Sequence, residues 1–263
     1  MHKVRLYTYP PHRVFWPYII INGNKPKFHV IRKYRSKIKS VIIDSGVEMF
    51  RNPNIKEYPG GPEKWVRHLI RLYIKVREYG VREAYIIIPD YPDDYVDSWG
   101  REHNLWINGK TNVDRTIENI QYVVKHYGKY PWIVPIQGYY MCPSSIGETI
   151  ERLWSLGILD EYNYVAIANL CTTRNIQITE KTVRTAHMKL RNHKIHVFGP
   201  SIIAVSRIYR YIHSFDSVAF SRPVGSLRKR GYRWSCKNER ERELYFRAWI
   251  DTVMNKYRIP IQL

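Results

Sequence analysis

The sequence predicts an α/β protein built as a (β/α)8 barrel of the TIM type. Three observations carry that expectation. Short apolar runs without alternation recur along the chain, as in parallel strands covered on both faces. Longer stretches of helical period lie between them. Six strand–helix units are readable in succession.

Taken in order, Ser40–Asp44 (SVIID) reads as a strand ending on an acid. Gly60-Gly61-Pro62 then interrupts the chain, and Pro62 suits a first helical turn, where its missing N–H is no loss. Trp65, Leu69, Leu72 and Val76 follow at helical spacing as far as Gly80. Residues 84–89 (AYIIIP) are the next strand, with Asp90 directly after it. Ile117, Ile120, Val124 and Tyr127 mark a helix, and Trp132–Ile136 (WIVPI) a strand ending at Gln137-Gly138.

Ser145 and Glu148 have capping-box spacing for a helix that runs through Ile150, Leu153 and Trp154 to Gly157. Residues 164–170 (YVAIANL) and 194–198 (KIHVF) read as strands, and 179–192 and 201–213 as helices. Residues 215–220 (FDSVAF) are strand-like. A final helix spans 239–256, with Leu244, Trp249 and Val253 facing inward. Two more strands would complete eight, from residues 18–21 or 28–31 and from 232–236. A doubly wound open sheet is the alternative. The sequence holds no G-x-G-x-x-G and no G-x-x-x-x-G-K-[ST], which speaks against dinucleotide and P-loop sites.

The chain of 263 residues offers no Gly/Ser/Pro-rich or low-complexity linker, so 1–263 reads as one domain. Residues 1–39 form N-terminal strands or an extension, 40–222 the barrel units, and 223–263 a basic segment and the C-terminal helix. With 44% hydrophobic residues, composition excludes a disordered chain. No apolar run approaches the roughly 20 residues that cross a bilayer, so no membrane partner is expected. The start of the chain lacks a signal-peptide core and carries Pro10, Pro11 and Pro17. Cys142, Cys171 and Cys236 are three, widely spaced, and point to a reducing, cytoplasmic setting.

Lys and Arg number 43 against 23 Asp and Glu, a net charge of +20. That balance predicts an acidic partner, most simply nucleic acid, because phosphate neutralisation releases counterions whatever the sequence. The 22 Tyr and 8 Trp add faces on which bases stack. Arg228-Lys229-Arg230, with Arg233 and Lys237, reads as a phosphate-contacting segment, a plain solvated face being the alternative. Asp93, Asp94 and Asp97 read as a solvated acidic loop, since no His or Cys stands at metal-ligand spacing, and no metal is expected. Cys142 and Cys171 read as small buried residues rather than nucleophiles.

Chemistry on such a barrel collects at the C-terminal ends of the strands. Asp44, Asp90 and Gln137 lie there, and Asp216 lies in or at the edge of a strand with Arg222 six residues on. Any one of them alone is as well explained as a turn or cap residue. If the chain closes into the expected barrel, their convergence on one mouth is harder to explain that way.

These residues, in this order, resemble the tRNA-guanine transglycosylase superfamily. The motifs are Asp44-Ser45-Gly46, Asp90, Gln137-Gly138, residues 168–170, His196-Val197-Phe198-Gly199, and Phe215-Asp216-Ser217-Val218 through Arg222. The likeness covers about residues 40–222, roughly two thirds of the chain. It implies a TIM-type barrel that exchanges a guanine in nucleic acid for a 7-deazaguanine base such as preQ0. It also implies Asp216 as nucleophile and Asp44 as acid/base. Asp90 would accept from the N1–H and exocyclic amine of the base. Gln137, Gly138 and the segment Asn169-Leu170 would hold its O6 edge, Phe198 would pack on its face, and Arg222 would lie by the substrate backbone.

The pattern departs in four places. The family's Asp-Ser-Gly-Gly-aromatic-Gln stands here as Asp44-Ser45-Gly46-Val47-Glu48-Met49, and its Gly-Gly-Leu as Ala168-Asn169-Leu170. The zinc segment after the nucleophile is missing, only Cys236 falling in that region, and no C-terminal RNA-binding domain is expected. Compact relatives that modify DNA are therefore the nearer analogy. The expectation is exchange on DNA without a cofactor, with a protein partner or a second copy of the chain as a further candidate. The same reaction on tRNA, and a non-catalytic nucleic-acid-binding subunit, are the alternatives.

Overall fold

The computed structural model describes residues 2–9, 14–93, 106–190, 192–221, 225–235 and 237–263. Eight strands make one parallel sheet: β1 (Arg5–Tyr7), β2 (Tyr18–Asn22), β3 (Ser40–Asp44), β4 (Glu83–Ile87), β5 (Trp132–Ile136), β6 (Tyr164–Ile167), β7 (Lys194–Val197) and β8 (Ser214–Asp216). Their order around the sheet is β1-β8-β7-β6-β5-β4-β3-β2. The two ends of that order meet. Thr8 N–H donates to Tyr18 O at 3.1 Å and Ile20 N–H to Thr8 O at 3.0 Å, so β1 lies beside β2 and the barrel is nearly closed. The open-sheet alternative is thereby set aside.

Helices follow the strands: α1 (His29–Lys33), α2 (Gly61–Glu78), α3 (Asn112–Tyr127), α4 (Pro143–Ser155), α5 (Ile158–Glu161), α6 (Ile176–Lys189), α7 (Ile202–Ile208), α8 (Gly225–Lys229) and α9 (Glu239–Asp251). Trp65, Leu69, Leu72 and Val76 of α2 are buried, as their spacing predicts. Each such side chain removed from water is worth about 1.5–3 kcal/mol. Among the described residues no helix is long and apolar enough to cross a membrane.

Several expectations need correction. Residues 28–31 are not a strand; they enter α1, and 18–21 belong to β2. Tyr232–Ser235 are irregular, tied by Arg242 Nη1 to Ser235 O at 3.0 Å, and Cys236 lies outside the described residues. The remaining strand is β1, only three residues long, made a strand by pairing with its neighbours on both sides rather than by its own pattern. Strand β8 stops at Asp216, and a 3₁₀ turn (Ala219–Ser221) follows. Ser145 sits inside α4 instead of capping it. The capping box is at α3, where Thr111 and Asp114 bond reciprocally. Leu244 is 51% exposed, not inward, whereas Trp249 and Val253 are buried.

The barrel interior is unusually polar for this architecture, whose inner layers favour branched aliphatics. Tyr7 and Ser40 share a hydrogen bond at 2.7 Å across the lumen. Tyr85 and Tyr164 meet edge to face with ring centroids 5.0 Å apart. Arg5 pairs with Glu83 and lies over the Tyr18 ring. Alternation along the strands then continues this inward set upward. Above Tyr7 comes Tyr9, above Ser40 and Ile42 comes Asp44, and above Ser214 comes Asp216.

Candidate active site

Asp44 ends β3 and is 6% exposed. Tyr9 O–H donates to its Oδ2 at 2.6 Å and Gly46 N–H to its Oδ1 at 3.1 Å. The second bond needs a tight turn: Gly46 has φ +88°, and a Cβ there would stand 3.0 Å from Asn24 N. The sequence Asp-Ser-Gly thus supplies both the carboxylate and the glycine that bends the backbone around it.

Asp216 ends β8 and is also 6% exposed. Gly199 N–H donates to its Oδ1 at 3.0 Å, and His196 Nε2 lies 3.4 Å from the same oxygen. The charge of Asp216 reaches Asp44. Burial raises the Asp44 carboxyl above the ordinary range, and the charges of Asp216 and Glu48 add to that, against the bonds from Tyr9 and Gly46. The Tyr9 phenol is pushed well above its usual value by desolvation and then by the charges of Asp44 and Asp216. One phenol therefore stands within electrostatic reach of both carboxylates.

A second cluster adjoins the first through Ser45. Ser45 O–H donates to Asp90 Oδ1 at 2.7 Å and lies 3.5 Å from Asp44 Oδ1. Gln137 Nε2 donates to Asp90 Oδ2 at 2.9 Å, and Tyr58 O–H holds the Asp90 carbonyl at 2.6 Å. Asp90 and Gln137 are both buried. Gln137 Oε1 and Asn169 Oδ1 are buried oxygens with no hydrogen-bond partner among the described residues. Gly138 packs tightly there; a Cβ on it would lie 2.7 Å from Ser145 Oγ and 2.9 Å from Asn169 Nδ2. Leu170 is buried, and the Phe198 ring meets His196 edge to face at 4.9 Å.

No family model matches this chain, and no curated protein sequence matches it.

The structure brings Asp44, Asp90 and Gln137 into one hydrogen-bonded group and sets Asp216, with His196 and Phe198, within reach of its charge. Gly138 and Asn169 border that group. Arg228 and Lys229 are exposed on α8, Arg230 is exposed just beyond with its guanidinium over the Tyr232 ring, and Arg222 lies outside the described residues. Asp93 corrects the expected solvated loop: it is buried and accepts from Tyr140 N–H at 2.9 Å, while Asp94 and Asp97 lie outside the described residues. Among the described residues no three His, Cys, Asp or Glu side chains are grouped to hold a metal. Cys142 and Cys171 are partly exposed rather than buried, and no disulfide joins them. The Cys142 thiol is lowered by the Ser144 hydroxyl and the Ser145 N–H at the start of α4.

Sequence reasoning missed Tyr9 and assigned no role to His196. The signal for Tyr9 was alternation in Arg5-Leu6-Tyr7-Thr8-Tyr9, which places residues 5, 7 and 9 on one face of a strand. For His196 it was position: two residues before Phe198, on the same inward face.

Proposed function

We propose that the chain is a base-exchange transglycosylase that replaces guanine in nucleic acid, DNA first, with a 7-deazaguanine such as preQ0. The observation that carries this reading is that two buried strand-end carboxylates, Asp44 and Asp216, lie within electrostatic reach of one another beside a hydrogen-bonded Asp90–Gln137 pair. The first pair suits two displacements at one carbon. The second suits the hydrogen-bonding edge of a guanine-like base, because each carboxylate oxygen accepts more than one donor. The unpartnered oxygens of Gln137 and Asn169 are further acceptors for such a base, which offers N1–H and a 2-amino group.

The chemistry follows from these groups. Ionised Asp216 attacks C1′ of the target nucleoside, forming a C1′–O ester bond as the C1′–N9 bond breaks. Asp44, which burial makes readier to hold a proton, gives that proton to the departing guanine. The incoming base then loses its N9 proton to the Asp44 carboxylate, and N9 attacks C1′. The ester breaks, Asp216 leaves as a carboxylate, and configuration is retained over two inversions. A nucleoside stacked in a duplex does not expose C1′ to this pocket, so the target is flipped out or single-stranded. Exposed Arg228, Lys229 and Arg230 supply backbone charge on the chain leaving β8.

Incubation with labelled preQ0 and single-stranded DNA, duplex DNA or tRNA, followed by digestion to nucleosides, tests the reading. Label in DNA that is lost in Asp216→Ala is expected. Label in tRNA alone would move the substrate to RNA. Nucleic-acid binding without label in any substrate would leave a non-catalytic subunit.

A further inference from the structure

We infer that a buried relay, Tyr164–Ser214–His196, fixes the imidazole of His196 in the tautomer that aims Nε2–H at Asp216, making His196 a positioning residue for that carboxylate. The inference rests on the reading of Asp216 as nucleophile. Its geometry is independent of that reading.

Tyr164, Ser214 and His196 are all buried, on β6, β8 and β7. Tyr164 OH lies 2.7 Å from Ser214 Oγ, Ser214 Oγ lies 2.8 Å from His196 Nδ1, and His196 Nε2 lies 3.4 Å from Asp216 Oδ1. A hydroxyl carries one proton, so the direction of the chain decides the tautomer. Desolvation pushes the Tyr164 phenol well above its usual range, which keeps it protonated and a donor. No other hydrogen-bond partner for that phenol is present among the described residues. Tyr164 therefore donates to Ser214, Ser214 donates to Nδ1, and the ring proton resides on Nε2.

The reverse direction is worse at both ends. It would leave the Tyr164 O–H without an acceptor and turn a buried Nε2 lone pair toward a carboxylate oxygen. At 3.4 Å the pair is longer than an ordinary hydrogen bond, so His196 Nε2 faces Asp216 as an electrostatic contact and makes no hydrogen bond. Around the ring stand Tyr7, 5.8 Å away edge to face, and Phe198, 4.9 Å away edge to face, with His213 in electrostatic reach. None of them offers His196 Nε2 a hydrogen bond.

The consequence for the chemistry is selective. Gly199 N–H and His196 Nε2–H both address Asp216 Oδ1, so the other oxygen, Oδ2, is the one turned to C1′. When the ester breaks in the second displacement, charge returns to a carboxylate already facing two N–H groups.

Nitrogen NMR of the full-length chain labelled at histidine distinguishes the two neutral tautomers and the imidazolium. The wild type is expected to show His196 with Nε2–H and a bare Nδ1. Ser214→Ala and Tyr164→Phe, each leaving Asp216 in place, should mix the tautomers. They should lower the exchange kcat about 10- to 100-fold with KM unchanged, and Ser214→Thr should restore both readouts. Should Ser214→Ala fail to fold, Tyr164→Phe carries the test, since it keeps the ring. A wild-type Nδ1–H form or imidazolium, or variants with unchanged kcat, would overturn the relay. Failure of wild-type exchange on every substrate would instead sink the proposed function, and the NMR result would still decide the tautomer.

Discussion

Tyr9 donates its phenolic proton to Asp44 Oδ2 at 2.6 Å, joining the chain two residues past the first barrel strand to the carboxylate that ends the third. The bond favours the ionised form of Asp44, against burial and the charge of Asp216, which favour the protonated one. Tyr9→Phe removes that support without changing ring size. The Asp44 carboxyl should rise further, so the acid limb of the exchange profile, where Asp44 must be ionised to take the N9 proton, moves to higher pH. Rate on the acid limb should fall by up to about tenfold, with a smaller effect at neutral pH. A pH–rate profile of Tyr9→Phe that overlays the wild type would contradict this role.

His213 offers a pH effect on stability away from the mouth. Burial and the charges of Arg5 and Lys194 lower it from an ordinary value of 6.5 to about 4. Between those values the unfolded chain binds a proton that the folded chain refuses, so stability falls as pH drops from about 6.5 toward 4. The loss should be of order 1–2 kcal/mol, because the group keeps some contact with solvent. Urea unfolding across this range should show a flatter slope for His213→Gln. An unchanged slope would rule the residue out as the source.

Gly138 tests the crowding beside Gln137. Adding a methyl group there drives it into Ser145 Oγ and Asn169 Nδ2. Gly138→Ala should cost about 1–3 kcal/mol of stability and raise KM for the incoming base more than it lowers kcat. Unaltered KM would mean that Asn169 does not border the base.

The barrel and its mouth were legible in the sequence to different depths. SVIID, WIVPI and KIHVF are strands because continuous apolar residues suit a sheet buried on both faces, and that signal is local. Arg5–Tyr7 is three residues long, followed closely by Pro10 and Pro11, and alternates instead of running apolar. Its strand character comes from β8 on one side and β2 on the other, which no local pattern carries. Tyr232–Ser235 failed the opposite way, with aromatic residues of strand-like composition but Arg242 holding the backbone. Leu244 matched a helical period yet faces outward on α9, because the aromatic cluster of Phe220, Phe246 and Trp249 sets which side is buried. At the site, Asp44 and Asp216 were readable as acids at strand ends. Tyr9, one tyrosine among 22, was not.

The basic segment makes a thermodynamic prediction. Arg228, Lys229 and Arg230 are exposed and lie on the chain leaving β8. Replacing all three with alanine should reduce the slope of log affinity against log salt by about 2–3, near one for each phosphate that is no longer neutralised. Fluorescence anisotropy with a single-stranded oligonucleotide at several salt concentrations measures this. An unchanged slope would make these residues a solvated face only.

In the proposed exchange, Asp216 carries the nucleic acid between two bases, and that intermediate can be weighed. The full-length protein is incubated with substrate DNA in the absence of incoming base and denatured, and both polymers are digested for mass analysis. The expected product is a nucleotide lacking its base, joined through C1′ to the peptide that contains Asp216. That adduct should disappear on addition of preQ0 and be absent in Asp216→Ala. Base exchange that proceeds in Asp216→Ala at the wild-type rate would contradict the proposal.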